Sequence, residues 1–170
     1  MRKYRLLILL LCEIIFIAPL QAEDIWGVMR QNFHFRPSAH PLVEKQIKLL
    51  KQNPQRFHEW HIYSRWFLPH VLEKVLEQGL PAEIALIPFL ESEYNPHARS
   101  YCGAVGLWQI MPKLALSYHL RMNKTQDQRK DPLIATQTAL HYLAYLHKTL
   151  HNWEHSITAY NAGITRVIRH

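Results

Sequence analysis

From Asp131 onward the chain carries the pattern that most restricts its fold. Asp131-Pro132 supplies an N-cap and then a proline suited to the first helical position. Ala139, Leu143, Leu146 and Leu150 follow at i, i+4, i+7 and i+11, which places them on one narrow stripe of a helix. No period-2 run of β-branched residues is long enough for a central strand, so the fold is expected to be predominantly helical, all-α. About half of the 170 residues are hydrophobic, enough for one compact core.

The other helical signals are separated by proline and glycine. Glu23 to Pro41 reads as aromatic and irregular, and Leu42 to Lys51 as a short helix ending before Asn53-Pro54. Phe57 to Phe67 forms a Trp/His-rich candidate. Pro69 is expected to open a separate helix through Val71, Leu72, Val75 and Leu76, closed by the break at Gly79 to Pro81. Pro81 then opens another helix, and a short one over about Trp153 to Asn161 stops at Gly163.

Arg2, Lys3 and Arg5 precede an apolar run from Leu6 to Ile17 and then Ala-Pro-Leu-Gln-Ala, which reads as a secretory signal peptide cut after Ala22. The run is short for a membrane span. Loss of Arg2, Lys3, Arg5 and Glu13 takes two units from the formal charge of +7 and leaves +5. A mildly basic exported protein suits an anionic polymer or surface, and a peripheral association with membrane or cell wall. No Arg/Lys-rich helix with interleaved aromatics argues for nucleic acid. Cys12 either leaves with the signal or is lipidated, although Leu11 stands where a small residue normally precedes a lipidated cysteine. The mature chain keeps only Cys102, which excludes an internal disulfide and a zinc-thiolate cluster.

Three short stretches hold the candidate chemistry. In Leu-Ile-Pro-Phe-Leu-Glu-Ser-Glu, at 100° per residue, Glu91 lies about 20° from Ile84 and within about 60° of Ile87 and Pro88, while Glu93 points away. A carboxylate against an apolar stripe is held protonated toward neutrality, as a general acid for glycosidic cleavage must be. The alternative is a structural Glu91 that pairs with Arg99 or caps a backbone donor. Downstream, Gly103 and Gly106 form a loop where missing Cβ atoms allow a ligand to approach the backbone, and Gln109 offers an amide to sugar hydroxyls. Tyr160-Asn161 either hydrogen-bond a ligand or cap their helix. Trp108 is the best candidate for a cleft wall, whereas Trp60 and Trp66 read as core. His147, His151 and His155 recur every four residues, but Asn152-Trp153 indicate that the helix stops, so no metal is expected and no cofactor is needed.

Taken together, Glu91-Ser92, Gly106-Leu107-Trp108-Gln109-Ile110-Met111-Pro112 and Ala159-Tyr160-Asn161-Ala162-Gly163 resemble the three signature motifs of the lytic murein transglycosylases with a soluble-transglycosylase-type catalytic domain, glycoside hydrolase family 23. Gly79 to Ala98 and Asp127 to Pro132 look similar to the membrane-bound transglycosylase D group. The likeness spans about Tyr63 to Val167. It implies a lysozyme-like, goose-type catalytic domain at 63–170, which follows the expected signal peptide at 1–22 and an N-terminal helical extension at 23–62.

The resemblance further implies a periplasmic or cell-envelope enzyme acting on peptidoglycan glycan strands. It would cut the β-1,4 bond between N-acetylmuramic acid and N-acetylglucosamine, leaving 1,6-anhydromuramic ends. Glu91 would be the single acid and base, Ser92 would support it, Gly106, Gln109 and Met111 would line the cleft, and Tyr160 and Asn161 would bind sugar. Family members continue through further helices beyond Gly163, so a chain ending at His170 also admits a non-catalytic peptidoglycan-binding or secretion-accessory protein.

Overall fold

A computed structural model of the chain describes residues 25–35 and 41–169. The leader, its cleavage point and Cys12 lie outside the described residues. The chain divides into two compact units, Met1–Gln31 and Asn32–His170. The described part of the first is helix α1, Ile25–Gln31, with Gly27 and Met29 buried. The irregular reading is thereby corrected over Ile25–Gln31, while Asn32 to Phe35 are irregular as expected. Seven consecutive residues without proline form two turns, and burial rather than intrinsic propensity stabilises them.

The second unit is built from helices, three isolated β-bridges and loops; no strand occurs among the described residues. Helix α2 is Pro41–Gln52, which begins and ends within one residue of the expected bounds. Asn53 separates it from α3, Pro54–Glu77, and here the structure departs from expectation. The two helices anticipated on either side of Pro69 are one. Ser64, Leu68, Val71, Leu72 and Val75 are buried at helical spacing across the proline, and Pro69 itself faces solvent. Packing of that stripe outweighs the lost donor at Pro69, a cost of about 3 kcal/mol in a helix interior. Trp66, expected in the core, is 67% exposed. The side chain of Trp60 lies outside the described set.

After Gly79 the chain makes a 3₁₀ turn, Ala82–Leu86, where a regular α-helix was expected, and then helix α4, Ile87–Ser92. Ala82, Ile84, Ala85, Ile87 and Phe89 all point into the core. The side chain of Glu83 closes this turn from outside by accepting hydrogen bonds from the amides of His34 and Phe35, at 2.8 and 2.7 Å. Helix α5 is Pro112–Ser117, and a second 3₁₀ turn, Gln128–Lys130, precedes helix α6, Pro132–Leu150.

Asp131 caps α6 as its sequence requires, its carboxylate accepting from the amides of Leu133 and Ile134 at 2.9 and 3.2 Å. Ala139, Leu143 and Leu146 are fully buried, while Leu150 in the last turn is half-buried. Each buried leucine contributes about 1.5–3 kcal/mol. The helix ends in a left-handed His151, and Asn152 caps α7, Trp153–Ala162, by accepting from the amide of His155. Helix α8, Ile164–Ile168, follows Gly163. Helix α6 packs against both α3 and α7.

Pro69→Ala tests whether packing overrides the proline. Restoring the donor at this exposed helical site is expected to raise stability by about 1–3 kcal/mol, read as a higher urea midpoint at unchanged slope. An unchanged midpoint would show that the helix bends there to avoid the cost.

Candidate active site

Helix α4 delivers Glu91. Its buried face is formed by Ile87, Pro88 and Phe89, and Leu90 is 82% exposed, so Glu91 falls at the boundary and is half-buried. Glu93 and Tyr94 both adopt left-handed backbone angles, φ 53° and 65°, which end the helix and reverse the chain. Tyr94 is driven to the interior, where its hydroxyl donates to the carbonyl of Ala85 at 2.6 Å and its ring meets Phe89 edge-on at 4.7 Å. That contact pins the C-terminus of α4 to the preceding turn. Glu93 sits beyond the helix as its C-cap.

The irregular segment from Ala98 to Ile110 lies against the acid. Its backbone bends at Gly106, φ 82°, and again at Gln109, φ 46°. Such a segment presents carbonyls that no regular ladder satisfies. Side chains from three distant parts of the chain satisfy them. Ser92 donates to the carbonyl of Leu107 at 2.7 Å, Tyr160 to that of Trp108 at 2.8 Å, and Arg129 to those of Gly103 and Ile110 at 2.9 and 3.2 Å. Ser92 and Tyr160 therefore hold adjacent carbonyls of one loop from opposite helices.

Arg129 is buried and is itself held by Asp127, whose two oxygens accept from Nε and Nη2 at 2.9 and 2.8 Å. The Arg129 hydrogen bond outweighs partial burial and holds the Asp127 carboxyl below its ordinary range. Arg99 adds a weaker contact to the same carboxylate, at 3.6 Å. Asp127 is thus the partner found for Arg99, in place of the ion pair with Glu91 that the sequence left open.

Several sequence-derived roles shift once these bonds are drawn. At Gly106 a Cβ would come within 2.0 Å of the carbonyl oxygen of Arg129, so the space is filled by the chain's own backbone rather than left for a ligand. The amide nitrogen of Gln109 donates to the carbonyl of Gly106 at 2.9 Å and tightens the loop. Trp108 is no cleft wall. It is fully buried, with its indole N–H donating to Thr136 at 3.0 Å and its ring edge-on to Tyr160 at 6.4 Å. Met111, at the start of α5, is 43% exposed.

Two of the expected residues meet the acid directly or at one remove. Asn161 is exposed and its amide donates to Glu91 Oε1 at 3.4 Å, a long contact. Burial raises the Glu91 carboxyl above its ordinary value, and the Asn161 bond only partly opposes that. Tyr160 is pushed well above the normal phenol range, first by burial and then by the charge of Glu91. It stays protonated, with its proton committed to Trp108. Arg129, Asp127, Thr136 and Tyr94 went unrecognised in the sequence, where the Asp-Gln-Arg-Lys-Asp-Pro stretch stood out only as a likeness. His147 stacks on Trp153 at 3.9 Å and His151 ends its helix; among the described residues no group of three or more His, Cys, Asp or Glu could hold a metal.

Residues 73–170, more than half of the chain, match the family model of the transglycosylase SLT domain. The chain belongs to this family. Its helical architecture is the all-α, lysozyme-like fold of SLT domains, as expected. The chain is 26% identical over 147 residues to membrane-bound lytic murein transglycosylase D of Escherichia coli (strain K12), covering 86% of this chain and 32% of that protein. It is 38% identical over 104 residues to a protein of Alteromonas sp. (strain M-1) named for tributyltin chloride resistance, covering 61% of this chain and 50% of the other. The SLT chain therefore spans about a third to a half of the length of these relatives.

The two loop glycines of this SLT domain separate close packing from conformational need. Gly106→Ala forces the loop off Arg129 and is expected to cost about 3 kcal/mol or more. Gly103→Ala, whose Cβ would meet only Pro112 at 3.7 Å, should cost about 1–2 kcal/mol from its positive φ. Equal losses in urea unfolding would refute the packing role given to Gly106. Arg129→Met, which removes the side-chain donor to the Gly103 carbonyl and the bidentate partner of Asp127, should cost about 3–5 kcal/mol.

Proposed function

We propose that this SLT domain is a peptidoglycan lytic transglycosylase, exported to the periplasm or cell envelope, that cuts glycan strands between N-acetylmuramic acid and N-acetylglucosamine. The observation that supports it most is Glu91: a half-buried carboxyl with a raised pKa at the end of a pinned helix, in a chain that belongs to the transglycosylase SLT domain family. Curated relatives are named as lytic murein transglycosylases. The leader inferred from residues 1–22 supports export. Among the described residues no helix is long and apolar enough to cross a membrane.

In this scheme protonated Glu91 gives its proton to the glycosidic oxygen as the bond to C1 of the muramic residue breaks. The substrate's acetamido oxygen bonds to C1 in place of an enzymic nucleophile. The Glu91 carboxylate then takes the proton of the C6 hydroxyl, and O6 displaces the acetamido oxygen at C1. A 1,6-anhydro ring forms, no water is consumed, and Glu91 ends protonated as it began. A two-carboxylate retaining mechanism needs a second acid about 5 Å away. Glu93, the adjacent acid in sequence, is displaced beyond the helix end. Asn161, on the acid's exposed side, is assigned to orient Glu91 and the sugar, with Ser92 and Tyr160 holding the loop beside them.

Purified sacculi digested by the full chain are expected to release muropeptides carrying anhydro ends, identified by mass spectrometry. Glu91→Gln should lower the rate by at least about 10²-fold. Reducing-end products would indicate hydrolysis instead, and folded protein that binds sacculi without turnover would indicate a non-catalytic binder.

The sign of the pH dependence follows from the raised carboxyl. Cleavage requires protonated Glu91, so activity should fall as pH rises through the elevated folded value, and the same group's contribution to stability is lost over that window. Asn161 favours the charged form. Asn161→Ala is therefore expected to move the Glu91 titration further upward, measured by carbon NMR of the labelled carboxyl; a downward move would refute the contact.

A further inference from the structure

Beyond Tyr160 a group of phenol rings leads away from the acid, and neither the three signature motifs nor the loop-holding bonds account for all of them. Tyr142, on α6, stands 5.9 Å from Tyr160 between ring centres. Tyr145, one turn along the same helix, stacks near-parallel to Tyr142 at 6.3 Å and 15°. Tyr118, the residue that ends α5, meets Tyr142 edge-on at 6.4 Å. Two separate helices thus bring Tyr118 and Tyr145 to one aromatic cluster adjoining the site of Glu91.

A purely structural cluster would bury its rings and satisfy its hydroxyls. This one does neither. Tyr145 is 54% exposed and Tyr118 is partly buried. The hydroxyls of Tyr118, Tyr142 and Tyr145 have no hydrogen-bond partner among the described residues, in contrast to Tyr94 and Tyr160, whose hydroxyls are committed to carbonyls. Burial, helped by neighbouring phenols, raises Tyr118 and Tyr142 above the ordinary range, so both remain O–H donors at neutral pH. Exposed rings that pair an apolar face with an uncommitted hydroxyl match a pyranose, which offers an apolar C–H face and a rim of hydroxyls. Phenols are stiff, with few rotamers to freeze, so they bind at low entropic cost.

We propose that Tyr118 and Tyr145, grouped around Tyr142, form a platform for sugar units of the glycan strand remote from the bond that Glu91 cuts. The platform rests on the proposed lytic reading for its ligand, and it makes affinity depend on strand length. Short fragments confined to the neighbourhood of Glu91 gain little from it. Long strands gain the stacking of one or two further rings. Because the Tyr118 and Tyr142 hydroxyls are neutral donors, the platform recognises sugar rather than the charge of the peptide stems.

The test uses the full chain, with KM and kcat measured on long uncross-linked glycan strands and on a tetrasaccharide fragment. Tyr145→Ala is expected to raise KM for long strands about five- to tenfold, a loss of about 1–1.4 kcal/mol, with a smaller change on the fragment. Tyr145→Phe should retain most of the wild-type affinity if ring stacking dominates. Trp66→Ala, which removes an exposed aromatic on α3, serves as the surface control. In parallel, Glu91→Gln protein is sedimented with long strands, with and without Tyr145→Ala, so that binding is read without turnover.

A length-dependent loss in both measurements supports the platform. If strands are cut but Tyr145→Ala matches Trp66→Ala at both lengths, the platform falls and the lytic reading stands. If the wild-type chain neither cuts nor binds strands, the lytic reading falls and takes the platform's ligand with it. A thermal melt of each variant shows whether a loss comes from unfolding; a destabilised Tyr145→Ala that binds normally when folded also overturns the platform.

Discussion

The constraint on which the remaining structure depends is the satisfaction of carbonyls in one irregular loop. Between Ala98 and Ile110 the backbone pairs with itself only through isolated bridges and turns, and its stretch from Ala104 to Trp108 is buried. Buried carbonyls without donors would each cost about 1–3 kcal/mol. Arg129, Ser92 and Tyr160 remove that cost from three directions, and in doing so they join α4, the second 3₁₀ turn and α7 to a common centre. The arginine can be buried because Asp127 neutralises it through a bidentate pair and the two loop carbonyls take its remaining donors. Gly106 completes the arrangement by letting the backbone of Arg129 approach where any side chain would intrude.

The electrostatics of the acid follow from this scaffold. The loop carbonyls of Leu107 and Trp108 are held by the neutral hydroxyls of Ser92 and Tyr160, and both arginines near the loop are directed to Asp127. Positive charge is thereby drawn away from Glu91, and burial is left as the largest influence on it. An arginine beside the acid would instead hold it ionised and unable to donate a proton. Asn161 gives orientation at a smaller electrostatic cost, because its amide is neutral and its contact is long. The same logic accounts for Tyr160, whose proton is fixed on Trp108, so that its phenol organises the loop.

Much of this was legible in residue types. The cap of Asp131, the stop at Gly163 and the buried stripe of α6 follow from local rules of helix geometry, whereas Glu91, expected on the apolar stripe in register with Ile84, is only half-buried because Ile84 lies in a 3₁₀ turn outside its helix. The errors share a cause. Pro69 and Trp66 are read from intrinsic preference and Trp108 from its neighbours in the glycine loop, and each is decided by what lies opposite in space. Pro69 stays inside a helix because the stripe across it is buried. Trp66 is exposed and Trp108 is core because burial depends on partners such as Thr136 and Tyr160 that are far away in sequence.

By itself, the sequence determined the helical class and the family motifs and singled out Glu91 as the candidate acid, because these depend on spacing along the chain. Tertiary structure decided what the motif residues do. Glycine at 106 permits either a ligand or a backbone to approach, and only the packed chain shows that Arg129 occupies the space. A glutamine, a serine and a tyrosine in a signature can each face substrate or hold a loop, and their hydrogen-bond partners settle the loop-holding part: Gln109, Ser92 and Tyr160 all donate to carbonyls between Ala98 and Trp108. The physical reason is that a hydrogen bond selects its partner by distance in space, and sequence patterns record only distance along the chain.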